Sequence, residues 1–131
     1  MYVVTDTFFQ NVSRKFDKTK YQLNGKVYWK NGLVLACIKK YVEDHPKLTF
    51  SALEKAFPRK LQGSRGCFDT VERAQGILAN SGHRRHFLKP DELIDLADVR
   101  IAVCDQWTKD SIGRFLGAAK ELDFKIKKAR A

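Results

Sequence analysis

Gly63-Ser64-Arg65-Gly66 sets a hydroxyl and a guanidinium between two glycines, just after Arg59, Lys60 and Gln62. Glycine lets a backbone approach a ligand closely, N–H groups at a helix start point outward, and arginine offers a fork of donors that fits phosphate oxygens. With Ser64 read as the cap of a following helix, this turn is the first candidate for holding an anion. A second basic cluster is His83-Arg84-Arg85-His86, with Lys89 behind it. On an extended segment, alternation sends Arg84 and His86 to one face and His83 and Arg85 to the other. Arg59, Lys60, Arg65, Arg84, Arg85 and Lys89 are therefore candidate phosphate contacts, with Lys20 as outer support. Gln62, Ser64 and Arg73 give directional hydrogen bonds and are the candidates for base edges. The plain alternative for the 59–66 connection is an ordinary capped turn carrying solvated cations.

Other chemistries fit the chain less well. Asp91, Glu92, Asp95 and Asp98 invite a metal-dependent nuclease, because paired carboxylates hold Mg²⁺. Such a site needs a base near its second carboxylate, and Asp98-Val99-Arg100 offers an arginine, which does not give up its proton. His83, His86, Cys67 and Cys104 could make four metal ligands, but no pair has zinc-finger spacing. The glycines around Ser64 do not match a nucleophile elbow, and neither a Walker loop nor a dinucleotide fingerprint occurs. Trp29 and Trp107 could stack on bases, although their apolar neighbours read as core or rim. The expectation is a non-enzymatic protein with no catalytic residue, no metal and no cofactor.

Charge strengthens the anion reading. The 131 residues carry a net charge of +10, with 44% hydrophobic and 11% aromatic content. That composition supports a folded domain rather than a disordered basic tail. Residues 59–89 hold seven Lys/Arg against two acids, whereas residues 90–131 hold eight against eight. A basic segment at a turn between helices is what a phosphate backbone attracts. Cys37, Cys67 and Cys104 lie among apolar neighbours without a C-x-x-C pair, which reads as buried, reduced thiols. No signal peptide and no apolar run of spanning length is apparent, so a cytoplasmic protein without a membrane partner is expected.

The elements that must position these side chains follow from periodicity and punctuation. Residues 1–20 read as an N-terminal helix or a basic arm. Asn24-Gly25 between two β-type runs signals a hairpin, and Asn31-Gly32 then punctuates the chain. The apolar period predicts a first helix over 33–42, stopped by Pro46, and a second capped by Thr49 and ended by Pro58. A third is predicted over 67–80, with Gly82 as its stop. Short strands around 85–88, 92–96 and 99–104 follow, turning at Leu96-Ala97-Asp98. Thr108 or Asp110 caps a last helix, Phe124-Lys125-Ile126 forms an edge strand, and 127–131 is a frayed basic tail.

The fold class is thus α+β in a single domain over 1–131: a small helical core with a β-hairpin, an N-terminal hairpin and a C-terminal helix. The order of helices at 33–42, 49–57 and 67–78, then a hairpin over 83–103, resembles winged helix-turn-helix DNA-binding domains. The resemblance is one of pattern. It implies nucleic acid as partner, DNA ahead of RNA, with 83–103 as the wing, and a homodimer would double the phosphate contacts. Leu61-Gln62-Gly63-Ser64-Arg65-Gly66 and Ala102-Val103-Cys104-Asp105-Gln106-Trp107 look similar to stretches in uncharacterised bacterial and phage-associated proteins. The same cations equally suit an interaction module, such as a phage-type inhibitor or adaptor, docking on an acidic protein surface.

Overall fold

The computed structural model describes residues 18–129, so the expected helix or arm over 1–20 falls almost wholly outside the described residues. The described chain is α+β, with four α-helices and two three-stranded antiparallel sheets among those residues. Strands β1 (Lys20–Leu23) and β2 (Lys26–Trp29) form the hairpin that Asn24-Gly25 predicts. Both turn residues take left-handed backbone, φ 52° and 81°, as a tight hairpin requires. Tyr21 and Leu23 turn inward while Gln22 faces solvent, the period-2 signature of a half-buried strand.

Helix α1 (Lys30–Asp44) leaves β2 without a loop and buries Leu33, Val34, Cys37 and Ile38 along one stripe. It starts earlier than the apolar period suggests and runs through Asn31-Gly32, which do not break it. Helix α2 (Phe50–Ala56) is capped by Thr49, whose hydroxyl accepts the Ala52 N–H at 3.2 Å. Leu53 and Phe57, the residue that ends the helix, are buried, and Phe57 stacks on Phe115 with ring centroids 5.4 Å apart.

The second sheet has the order β3–β5–β4, built from β3 (Phe68–Thr70), β4 (Ile94–Asp95) and β5 (Arg100–Val103). Strand β5 lies in the centre, and Ile101, Ala102 and Val103 are all fully buried. A strand enclosed on both faces loses polar alternation. Two expectations change here. Helix α3 (Val71–Ser81) begins at Val71 and is capped by Thr70, not by Ser64, because residues 68–70 pair with β5 instead of entering the helix. The hairpin within 83–103 is present as β4–β5, closed by a Leu96 N–H to Val99 carbonyl bond of 2.9 Å. Its second strand is core, however, and 85–88 contribute only an isolated bridge, His86 to Cys104. The basic segment does not sit on a free wing tip.

Helix α4 (Lys109–Glu121) starts with a reciprocal box: the Ser111 N–H donates to the Thr108 hydroxyl at 3.2 Å and the Thr108 N–H to the Ser111 hydroxyl at 2.8 Å. It buries Ile112, Phe115 and Ala119. Strand β6 (Ile126–Ala129) returns to pair with β1, giving the order β2–β1–β6. Lys127, Lys128 and Ala129 are therefore ladder residues rather than a frayed tail, because β1 offers its second edge to them. No helix among the described residues is long and apolar enough to cross a membrane.

Phe57, Phe115 and Trp107 make one aromatic joint between α2, α4 and the segment after β5. Phe115→Ala should lower the unfolding free energy by about 3–5 kcal/mol in a denaturant titration. Phe57→Ala should cost a similar amount, and the double variant less than the sum of the two.

Candidate nucleic-acid interface

The connection from α2 to β3 is a 3₁₀ turn (Arg59–Leu61) followed by a loop that folds on itself. Gly66 has φ 77°, a left-handed backbone that favours glycine, and a Cβ there would stand 3.1 Å from the Arg59 side chain that lies across the loop. Arg59 Nη2 donates to the Ser64 carbonyl at 3.0 Å. Gln62 is the internal clasp: its Oε1 accepts the Arg65 N–H at 2.9 Å while its Nε2 donates to the Gln106 carbonyl at 2.7 Å. Arg114 on α4 fastens the same loop, with Nε donating to the Leu61 carbonyl at 3.1 Å.

The second basic segment arrives at the same place. Arg85 Nη1 donates to Gln106 Oε1 at 3.0 Å, and Arg84 Nε meets Asp105 Oδ2 at 3.1 Å. The Asp105 N–H donates to the Arg85 carbonyl and the Phe87 N–H to the Val103 carbonyl, holding 85–87 beside the end of β5. Gln106 Nε2 donates to Asp105 Oδ1 at 2.6 Å, and Trp107 Nε1 to the Cys104 carbonyl at 2.7 Å. Asp105-Gln106 thus joins two basic segments distant in sequence.

Beneath the joint lie Cys67, His86 and Cys104, all essentially inaccessible. Burial pushes the Cys67 thiol up to about 12 and the Cys104 thiol to about 11, which keeps both protonated and unreactive. Burial also lowers His86 below its ordinary value, against the opposing pull of Asp69 and Asp105. Both ring nitrogens of His86, and Nε of Arg85, are buried without a hydrogen-bond partner. Buried polar atoms without a partner favour the uncharged ring.

Of the sequence-predicted site residues, Arg59, Lys60, Gln62, Ser64, Arg65, Arg84 and Arg85 lie on the two joined segments. Arg59, Lys60, Ser64 and Arg84 are exposed, while Arg65 and Arg85 are half-buried. Arg65 and Arg85 both bear electrostatically on Cys104, which brings both near it. Gln62 has both ends of its amide engaged within the fold, so it is a structural clasp rather than a free base-reading group. Ser64 lends its carbonyl to Arg59 instead of capping a helix. Arg73 sits in the first turn of α3, exposed and 3.9 Å from Asp69. Lys89 starts the 3₁₀ turn Pro90–Glu92. Lys20 belongs to the other sheet, where its ammonium lies 4.7 Å over the Trp29 ring.

The acidic residues took separate roles. Asp95 pairs with Arg100, Asp98 accepts the Phe50 N–H at 3.0 Å, and Glu92 accepts the Lys89 N–H at 3.1 Å. Among the described residues, no group of three or more His, Cys, Asp or Glu side chains is placed to hold a metal ion. Sequence reasoning missed the importance of Asp105, Gln106 and Arg114. The available signal was a polar pair between Cys104 and Trp107 in an otherwise buried run. No family model, curated protein or solved structure matches the chain.

Gln106→Ala removes the acceptor of Arg85 and should destabilise the fold by about 1–3 kcal/mol, read from the denaturation midpoint. His86 adds a pH dependence. With the folded value depressed, the unfolded chain takes up the proton first as pH falls below about 6.5, so the stability tied to a neutral His86 is complete above that pH and is lost on acidification towards the folded value. Unfolding midpoints between pH 7 and 5 should therefore fall more steeply in the parent than in His86→Met.

Proposed function

We propose that this chain is a non-enzymatic nucleic-acid-binding module, DNA ahead of RNA, that grips phosphates with the 59–66 turn and the 84–89 segment acting together. The observation that carries the reading is the junction at Gln106: its carbonyl takes Gln62 and its side-chain oxygen takes Arg85. Two cation-rich segments held by one residue make a local field that neither would make alone. Arg59, Lys60 and Arg65 supply the charge on one side, and Arg84 and Arg85 on the other. Arg84 meets Asp105 through Nε, and a phosphate would approach the other edge of its guanidinium. Arg73, with Ser64, is the remaining candidate for directional contact to a base edge. The winged-helix resemblance enters as a frame for element order alone, since β5 is buried in the core.

Asp69, 3.9 Å from Arg73, and Asp105, paired with Arg84, temper the field. Affinity on this reading comes from phosphate contacts, and it should depend on salt accordingly. Binding to a mixed-sequence duplex, followed by fluorescence anisotropy with no other protein present, should weaken steeply between about 50 and 200 mM salt. Arg65→Ala and Arg84→Ala should each flatten the slope of log affinity against log salt by about 1. Binding that stays flat across that range, or slopes unchanged by both substitutions, would contradict the assignment. Failure to bind duplex, combined with capture by an acidic protein, would favour the interaction-module reading.

A further inference from the structure

A second feature lies away from the Gln106 junction, on the other sheet. Strand β6 ends the order β2–β1–β6 and, among the described residues, pairs only with β1. An edge strand presents backbone donors and acceptors on which another strand can build. In the β1–β6 register Tyr21 opposes Lys128 and Leu23 opposes Ile126, so Ile126 and Lys128 share the inward face of the sheet. On that side, between β6 and α4, lies a groove of about 480 Å³. Its floor is apolar, made by Tyr21, Leu116, Phe124 and Ile126. Its rim carries Lys120, Lys125, Lys127 and Lys128, and no carboxylate lines it among the described residues.

We propose that this groove accepts an extended acidic peptide segment, which adds to β6 as a fourth strand. The ladder would supply affinity, and alternate side chains of the guest would fall on the apolar floor, the usual division in strand addition. Charge selects the guest. Four lysines around one groove repel a basic or identical strand and attract carboxylates placed between apolar residues. A second copy of this chain is a poor occupant, because its own β6 brings the same lysines into register. The proposal stands apart from the phosphate reading, since none of its residues belongs to the Gln106 junction.

The probe is a fluorescein-labelled octapeptide of alternating Asp and Val, capped at both ends, titrated with the full chain and read by anisotropy. The expected result is saturable binding that weakens roughly tenfold in the Lys127→Gln, Lys128→Gln double variant. Binding should be lost when alternate backbone amides of the peptide are N-methylated, which leaves its charge intact. Arg65→Ala and Arg84→Ala should leave peptide binding unchanged, so failure here is distinguishable from failure of the duplex-binding reading. Equal affinity for the N-methylated peptide, or for the peptide with Lys in place of Asp, would overturn the proposal. So would displacement of the peptide by single-stranded DNA at a lower concentration than unlabelled peptide requires, an outcome that assigns the groove to nucleic acid.

Discussion

Asp105 and Gln106 follow the buried end of β5, and their polar atoms must find partners where water is scarce. That need constrains the arrangement around them. Asp105 is 6% exposed. A carboxylate so enclosed is costly unless it is paired and hydrogen-bonded. It takes Arg84 and the Gln106 amide, and Gln106 in turn takes Arg85 and, through its carbonyl, Gln62. The turn after α2 and the segment after α3 are thereby fixed to one point. Trp107 and Phe115 pack just behind it, coupling the junction to the aromatic core.

The constraint bears on the proposed recognition. Cations that hold Asp105 and Gln106 are partly spent, and on that proposal a phosphate would compete for them or use their free edges. Arg59 likewise gives one nitrogen to its own loop. Lys60 keeps an exposed head on the same turn, and as a compact point charge it adds attraction without direction. The surface therefore combines pre-placed arginine forks with a more mobile ammonium. For the proposed phosphate contact, pre-placement would lower the ordering entropy lost and offset some of the neutralisation by Asp69 and Asp105. The buried thiols and the neutral His86 beneath act as low-dielectric packing.

Local rules were legible in the sequence wherever local forces decide. Asn24-Gly25 marked the hairpin, Thr49 marked a helix start, Thr108 was one of two candidates for another, and Gly82 marked a stop, its φ of 77° fitting a left-handed C-terminal residue. Long-range pairing overrode the pattern elsewhere. Phe68 fits a helical apolar stripe equally well, but β5 offers a ladder partner more than thirty residues away, and the chain between 68 and 70 extends to meet it. Lys127 and Lys128 looked like a solvated tail until β1 supplied an edge. The same limit applied to the site. Cation-rich turns can be read from composition, whereas the role of Gln62 depends on Gln106, 44 residues away. Arg114, which closes the turn from α4, gave no local signal at all.

The central claim is that the two basic segments form one surface because Asp105-Gln106 holds them together. Backbone amide shifts followed during titration with a mixed-sequence DNA duplex test it most directly. The account expects amides in 59–66 and in 84–89 to move together with a single midpoint, and the Gln106 side-chain amide to move with them. Shifts confined to one of the two segments, or different midpoints for the two, would contradict it.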